Sequence, residues 1–228
     1  MPDPVLDACL ARIHERLRGL DAGDVATYIP ELARAEADRF GLAVATLDGH
    51  VATAGDADHP FTIQSVSKPF VYGLALEDHG VAHVQARIGV EPSGEAFNAI
   101  VMDDQHNRPM NPMVNAGAIA ATSMVRGATL AERRQRVLDT FGRYTGRAVD
   151  VDEAVAESER RTGHRNRAIA YLELSSGMID EPVDDHLDLY FAQCSILVTA
   201  RDLAVMAATL ANGGVNPVTG ERALAESH

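Results

Sequence analysis

The stretch GLAVATLDGHVATAGD, residues 41–56, is where the sequence most clearly indicates a pair of β-strands. Two short runs rich in Ala, Val and Thr flank Asp48-Gly49, a dipeptide that favours the tight turn of a β-hairpin. An isolated two-stranded sheet is only marginally stable in water, so this hairpin needs partners. The rest of the chain supplies many helical patterns and few further strands. We therefore expect an α+β fold with a large helical part and a sheet that is short of strands.

Helical periodicity begins near the start of the chain. The segment DPVLDACLARIHERLRGL opens with Asp3-Pro4, a typical cap and first-turn pair, and places Cys9 on its apolar stripe. Free cysteine on such a stripe is usually a packing residue. A second helical pattern follows the hairpin, in SKPFVYGLALEDHG, and Gly80 is expected to end it.

The remaining helical patterns lie in the second half of the chain. Residues 82–118 are rich in Pro, Gly and Asn and lack a clear apolar period, so we interpret them mainly as loops. In TLAERRQRVLDTFGRYTG, Thr129 and Glu132 have the spacing of a capping box. Further helices are predicted in VNAGAIAATSMV, DVDEAVAESERRTG, HRNRAIAYLELSSG, PVDDHLDLYFAQC and TARDLAVMAATLANGG.

Composition excludes several classes of function. With 228 residues, 46% of them hydrophobic, the chain can bury one real core, and we expect a single domain over 1–228. The helix and hairpin would occupy about 1–64 and the helix-rich part 65–228. A net charge of −13 argues against binding to nucleic acids or anionic membranes. The two cysteines form no disulfide framework or zinc pattern, and no signal peptide or membrane span is indicated, which makes the cytoplasm the default location.

Lys68 is the only lysine, because the 20 basic residues comprise 19 arginines and this one. It lies in TIQSVSKPF, three residues after Ser65 and next to Ser67. Residues three apart on a helical turn share a face, so Ser65 can meet Lys68 whereas Ser67 points elsewhere. A serine hydroxyl needs a base to become a nucleophile, and a lysine with a lowered pKa can be that base. Arginine cannot, since its guanidinium keeps its proton.

Two other interpretations of Lys68 remain open at this point. The first is a surface lysine at the start of a helix, since a bare S-x-x-K pattern is common by chance. The second is a Schiff base between the lysine and an aldehyde cofactor. No glycine-rich phosphate-binding loop accompanies Lys68, so we expect no cofactor. The cysteines and the nine histidines show no metal-ligand spacing, so we expect no metal either.

The S-x-x-K pattern at a helix start resembles that of serine β-lactamases and penicillin-binding proteins, although their S-D-N and K-T-G motifs are absent. Seven motifs in order resemble the serine-dependent glutaminases, from about Tyr28 to Arg222. They are YIPELA, IQSVSKPF, EPSGEAFN, NPMVNAGAIAATS, SERRTGHRNRAIA, YFAQCSILVT and MAATLANGGVNPVTGER. The resemblance implies a β-lactamase-like fold, hydrolysis of L-glutamine to L-glutamate and ammonia, and assembly as a homo-oligomer, a dimer or tetramer.

The resemblance also assigns site residues by position. Ser65 matches the nucleophile, which also contacts substrate, Lys68 matches the general base, and Tyr28 matches a tyrosine thought to relay protons or hold substrate. Four further positions match substrate-binding residues: Asn115, Glu159, Asn166 and Tyr190. A carboxylate suits an α-ammonium group, and amide and phenol donors suit an α-carboxylate.

Each substrate-binding position has a plainer interpretation. Glu159 could pair with Arg160 or Arg161 on a solvated helix face. The two asparagines could be helix caps, Tyr190 a core aromatic residue and Tyr28 a loop residue. Only the ordered set of motifs favours the functional reading of all five together.

The family's pattern continues beyond GERALAESH, where this sequence stops. In the family a further segment completes the sheet and carries another active-site tyrosine, a K-S-G-type motif and an oxyanion-hole amide. We therefore expect an incomplete antiparallel sheet in a C-terminally truncated chain. Two alternatives to a glutaminase follow: an inactive relative that binds amino acids or partners, and a β-lactamase-like serine amidohydrolase acting on another amide.

Overall fold

The computed structural model describes residues 3–103 and 105–228, and within them the chain is mixed α/β. The described α-helices are α1 (Pro4–Leu17), α2 (Lys68–His79), α3 (Val81–Arg87), α4 (Asn115–Ser123), α5 (Leu130–Thr145), α6 (Glu153–Thr162), α7 (His164–Ser175), α8 (Val183–Cys194) and α9 (Ala200–Ala211). The strands are β1 (Gly41–Ala45), β2 (Val51–Gly55), β3 (Phe61–Thr62) and β4 (Leu197–Val198).

The predicted hairpin is confirmed. Strands β1 and β2 pair antiparallel, with Gly41 opposite Gly55 and Ala45 opposite Val51. Gly49 has a φ of +85°, the left-handed conformation that the turn requires and that glycine adopts without strain. The short strands β3 and β4 form a second antiparallel pair. Among the described residues the strands thus form two-stranded sheets only, as the shortage of strand patterns predicts.

The described residues fall into two compact units, and the single-domain organisation stays a prediction. The first unit comprises Met1–Thr62, Asp139–Asp150 and Leu197–Ser227. In it α1 and α9 pack against the β1–β2 hairpin, which supplies the cover that a two-stranded sheet needs. The predicted cap of α1 is confirmed, because the Asp3 carboxylate accepts hydrogen bonds from the backbone N–H groups of the first helical turn.

The second unit comprises Ile63–Leu138 and Val151–Ile196, together with His228. Its apolar core lies among α2, α3, α4, α7 and α8, with α4 buried along almost its whole length. Small side chains make this close packing possible, as in the Ala-rich stretch around the fully buried Ile119. The helix α3 was missed in the turn-rich segment, because seven residues are too few to show an apolar period.

The C-terminal end of α4 is held by a buried arginine from α5. Arg133 donates through Nε to the carbonyl oxygen of Val125 (3.0 Å) and through Nη2 to that of Thr122 (2.9 Å). These bonds satisfy carbonyl groups that a helix end leaves unpaired. At the start of α5 the Glu132 N–H donates to Thr129 Oγ1 as predicted, but the Glu132 carboxylate accepts from Ala128 rather than closing the box on Thr129.

Candidate functional site

The turn that carries Ser65 is a 3₁₀ helix, Gln64–Ser67, placed directly before α2. Such a helix has three residues per turn, so the side chains of Ser65 and Lys68 emerge on the same side. The Lys68 N–H donates to the Ser65 carbonyl oxygen and closes this turn. Ser65 is exposed, whereas Gln64 just before it has a φ of +52°, a strained value for a residue with a side chain. Strain of this kind is concentrated at functional sites.

Ser67 faces a different environment, because it is fully buried and hydrogen-bonded. Its Oγ accepts a hydrogen bond from Gln193 Nε2 at 3.1 Å, and Gln193 Oε1 accepts one from Thr122 Oγ1 at 2.8 Å. This buried network anchors the 3₁₀ turn to α8 and α4. This network could not be predicted from the sequence, because its three residues lie far apart along the chain.

Lys68 is buried, with 2% of its surface exposed. Its Nζ donates to the carbonyl oxygen of Met113 and to Asn115 Oδ1, both at 2.9 Å, and lies 5.5 Å from the centre of the Phe97 ring. In the described part of the chain no carboxylate pairs with this amine, and no hydrogen bond joins it to the Ser65 hydroxyl. Removal from water disfavours the charged form and lowers the pKa of Lys68 from 10.5 to about 8.

The loop that provides the Met113 carbonyl is held tightly against the first turn of α4. Asn111 Oδ1 accepts a hydrogen bond from the Met113 N–H at 2.9 Å, which closes an Asx turn. Gly117 allows the close approach, because a Cβ atom there would lie 2.0 Å from the Asn111 carbonyl oxygen. The glycine of the NAGA sequence therefore fixes the distance between this loop and the helix that begins at Asn115.

The two asparagines assigned to substrate binding lie in contact. Asn115 Nδ2 donates to Asn166 Oδ1 at 3.0 Å, so Lys68, Asn115 and Asn166 form one hydrogen-bonded chain. Neither asparagine is a helix cap, since the residues at the N-cap positions of α4 and α7 are Val114 and Gly163. Instead, the Asn115 side chain contacts the lysine and the Asn166 side chain contacts Asn115.

Glu159 lies on α6 with only 9% of its surface exposed. The neighbouring arginines are occupied elsewhere: Arg160 pairs with Asp188 at 2.8 Å and with Glu157, and Arg161 pairs with Glu157 at 3.8 Å. Among the residues that the structure describes, no hydrogen bond or ion pair reaches the Glu159 carboxylate. Burial raises its pKa from 4.5 to about 7. The solvated ion pair considered as the plainer interpretation is therefore absent from the described part of the chain.

Tyr190 is buried on α8, and its ring is tilted against that of Phe191 with 6.1 Å between ring centres. One helical turn later lies Cys194, also buried, with its thiol near the side chains of Tyr190 and Ser67. Burial, aided by the nearby Glu159 carboxylate, raises the pKa of this thiol to about 12. Cys194 is thus a neutral packing residue.

Tyr28 belongs to the first unit, in an irregular segment between α1 and β1, and its side chain is 65% exposed. Its proposed part in catalysis stays a prediction.

In residues 3–103 and 105–228, no group of three or more His, Cys, Asp or Glu side chains is arranged to hold a metal ion. Within the same described ranges, no helix is both long and apolar enough to span a membrane.

Sequence reasoning missed the groups that surround the lysine. The Met113 carbonyl oxygen and the Phe97 ring contact the amine, and Gln193 contacts Ser67 on the turn. Thr122 in turn contacts Gln193. All four residues lie within the quoted family motifs, but their residue types alone indicate no role beside the lysine. The tight loop before α4 was partly predictable from Asn111 and Gly117. An Asn-Pro pair followed by a glycine at a helix start indicates such a loop.

Comparison with known proteins identifies close relatives over nearly the full chain. A glutaminase from Nostoc sp. is 57% identical over 223 residues, which are 98% of this chain and 66% of that protein. Glutaminase 2 of Bradyrhizobium diazoefficiens is 55% identical over 97% of this chain and 35% of its own length. This chain therefore spans less than two thirds of either relative.

Solved structures agree with these sequence matches. The structure described as Mglu in its glutamate form superposes with a TM-score of 0.93 at 43% identity, covering 100% of this chain and 52% of the other. A probable glutaminase, ybaS, gives 0.95 at 38% identity, covering 100% and 74%. These glutaminases have the β-lactamase-like fold, and the high scores assign this chain to it. The glutaminase family model matches residues 23–228. The chain belongs to the glutaminase family.

Proposed function

We propose that this chain carries the nucleophile, Ser65, and the general base, Lys68, of a glutaminase site. In the proposed reaction the site hydrolyses L-glutamine to L-glutamate and ammonia. The observation that carries the proposal is the environment of the single lysine. It is buried without a carboxylate partner in the described residues, its pKa is about 8, and it shares a face of the 3₁₀ turn with an exposed serine. A base that titrates near working pH is what serine activation requires.

The hydrogen bonds of Lys68 suit the neutral amine. A neutral amine has two N–H groups, which match the two acceptors, Met113 O and Asn115 Oδ1. Its remaining tetrahedral position holds the lone pair that would accept the serine proton. Asn115 and Met113 thus orient the amine without requiring that it be charged.

Glu159 is the proposed partner of the substrate α-ammonium group. It is a buried carboxylate lacking a partner of its own in the described part of the chain, and an arriving cation would restore the ionised form that burial disfavours. Asn166 keeps an amide N–H₂ that is not used in its contact with Asn115, and Tyr190 provides a phenol group. These donors are proposed to bind the α-carboxylate. A molecule without the amino-acid head group would leave such buried groups unpaired, which is how the site would reject it.

The proposed reaction proceeds in two steps with one proton carrier. Neutral Lys68 takes the Ser65 hydroxyl proton as Oγ bonds to the side-chain carboxamide carbon of glutamine. The resulting ammonium then protonates the amide nitrogen, the C–N bond breaks, and ammonia leaves behind a glutamyl ester. Water, deprotonated by the same amine, attacks the ester, and glutamate departs as Ser65 regains its proton.

The family resemblance also supports a homo-oligomer, which size-exclusion chromatography with light scattering can test.

The test is ammonia and glutamate release from L-glutamine by the purified chain. We expect Ser65→Ala and Lys68→Arg each to reduce turnover by at least ~10³-fold, since the first lacks the nucleophile and the second cannot accept a proton. Ser67→Ala is the matched control, expected to unfold at lower temperature yet retain turnover. Loss of turnover in Ser67→Ala but not in Ser65→Ala would refute the assignment.

Two further outcomes address the other candidate functions. Glutamine binding measured by calorimetry without ammonia release would make the chain an amino-acid-binding member of the family rather than an enzyme. Faster cleavage of a β-lactam or a peptide amide than of glutamine would instead indicate an amidohydrolase with a different substrate.

A further inference from the structure

A cavity of about 380 Å³ lies in the second unit, beside the C-terminal ends of α2 and α4. It shares none of its lining residues with the Ser65–Lys68 site. A volume of this size accommodates a small organic molecule rather than a bare ion.

The charge of this cavity is opposite to that of the chain as a whole. The chain has a net charge of −13, yet two arginines line the cavity against one carboxylate, that of Asp180, and three histidines complete the polar lining. The Arg87 guanidinium contacts only His83 Nε2 (2.8 Å), and no ion pair engages Arg126 among the described residues. A concave basic surface on an acidic protein concentrates anions.

The nearby helix end does not cancel this charge. The carbonyl groups at the C-terminus of a helix carry partial negative charge, which would repel an anion. Here Arg133 caps the carbonyl oxygens of Thr122, Ser123 and Val125, and His79 Nε2 contacts that of Met124 at 2.7 Å. The exposed cationic groups therefore dominate the cavity.

Aromatic rings and apolar side chains form part of the remaining lining. The rings of His79 and His83 are stacked, with 4.9 Å between their centres and 21° between their planes. Met124 and Ile179 add apolar surface. His186, which is buried, uses Nε2 on the Asp180 carbonyl oxygen at 2.9 Å, while its Nδ1 has no hydrogen-bond partner in the described part of the chain.

We propose that this cavity is a second binding site, for a small planar organic carboxylate. The carboxylate group would pair with the guanidinium groups of Arg87 and Arg126, a geometry for which arginine is suited. The body of the ligand would lie on the stacked imidazole rings and the methionine and isoleucine side chains.

Benzoate and its uncharged isostere benzamide are the probes. We expect calorimetry or ligand-observed NMR on the full chain to show saturable benzoate binding, with benzamide binding at least roughly tenfold more weakly because it lacks the charge. Arg87→Gln and Arg126→Gln should each weaken benzoate binding by roughly tenfold. Arg16→Gln, on α1, is the matched control and should leave the affinity unchanged.

Circular dichroism and thermal melting establish that each variant is folded before its affinity is compared. Equal affinity for benzoate and benzamide, no saturable binding of either, or undiminished benzoate affinity in both cavity variants would overturn the proposal. Because the test measures binding and not glutamine turnover, its result is independent of the function proposed above.

Discussion

Lys68 and Glu159 share an unusual electrostatic situation. Each is buried, and in the part of the chain that the structure describes neither is paired with an opposite charge. Burial therefore moves both toward their neutral forms, with pKa values of about 8 and about 7. Perturbed groups of this kind concentrate at functional sites, because catalysis needs residues that change protonation near working pH. The lysine would act when neutral and the glutamate when ionised, so the proposed activity should rise with pH through this range.

Glu159→Gln tests the cost of the buried carboxylate. A folded-state pKa of about 7 against an ordinary 4.5 means that the protonated form is favoured by folding, so stability is lost as pH rises from 4.5 to 7. The glutamine variant cannot ionise and keeps nearly the same shape. We expect it to be more stable than wild type at about pH 8, by on the order of 2 kcal/mol, with the difference disappearing near pH 4.5. Urea unfolding across this range measures it.

Glu157→Gln is the control for this experiment, because Glu157 lies on the same helix but is exposed and paired with Arg160 and Arg161. It should show no gain in stability at higher pH. A Glu159→Gln variant whose stability relative to wild type does not change with pH would contradict the burial argument. Loss of glutamine turnover in the same variant, with folding intact, would support the proposed contact with the ammonium group.

At the scale of elements, the site depends on how α4 begins. The helix meets the preceding loop without space for a side chain at Gly117, and the same loop supplies the Met113 carbonyl oxygen that binds Lys68. A displacement of this junction would move both acceptors of the lysine together. The position in which the Lys68 amine is held is therefore set by this backbone contact, because the contact places both of its hydrogen-bond acceptors.

Gly117→Ala should disrupt this junction. The added Cβ would meet the Asn111 carbonyl oxygen at 2.0 Å, so the backbone must shift, and we expect destabilisation of about 1–3 kcal/mol together with lower glutamine turnover. Gly142→Ala in α5 is the matched control, because its new Cβ would approach nothing closer than 3.4 Å. That substitution should stabilise the protein by roughly 0.5–1 kcal/mol. If Gly117→Ala changed neither stability nor turnover, the close approach of the loop to the helix would not be needed for either.

Elements with strong local signals were predictable, and those set by tertiary contact were not. Asp48-Gly49 and the Asp3 cap act within a few residues, so the hairpin and the start of α1 could be predicted from local chemistry. The helix α3 is short and depends on packing of Val84 and Ile88 into the core. Its formation is decided by neighbours distant in sequence, which periodicity cannot reveal.

At the scale of the whole molecule, the same distinction separates the parts of the site. The pairing of Ser65 with Lys68 follows from spacing along one turn. The contacts of Lys68 with Met113 and Asn115, 45 and 47 residues later, require the folded chain. The family resemblance supplied Asn115, Glu159, Asn166 and Tyr190 as candidates. Only the structure shows that Asn115, Glu159 and Asn166 are buried or hydrogen-bonded in ways that do not fit exposed surface residues.

The net charge of −13 leads to a prediction for the whole chain. Self-repulsion of excess negative charge disfavours the compact state, whereas exposed ion pairs contribute little stability each. Raising NaCl from about 10 mM to about 150 mM shortens the screening length from about 30 Å to about 8 Å. We expect the melting temperature to rise by a few degrees over this range, measured by calorimetry at constant pH.

Sucrose of equal osmolality is the control, since it stabilises by exclusion from the surface and does not screen charge. A melting temperature that falls with NaCl would mean that the ion pairs, such as Arg201 with Asp58, outweigh the repulsion. No change would mean that the two effects balance, which also contradicts the prediction.

The single lysine has a practical consequence for chemical labelling. Apart from the chain's α-amino group, an amine-directed reagent has one possible target, Lys68. Because Pro69 follows it, trypsin leaves that bond uncut, and the labelled and unlabelled forms both appear in the peptide 40–87. The ratio of the mass-spectrometric intensities of the labelled and unlabelled peptides, followed over a pH series, would report the protonation and accessibility of the proposed catalytic amine. This measurement needs no substrate.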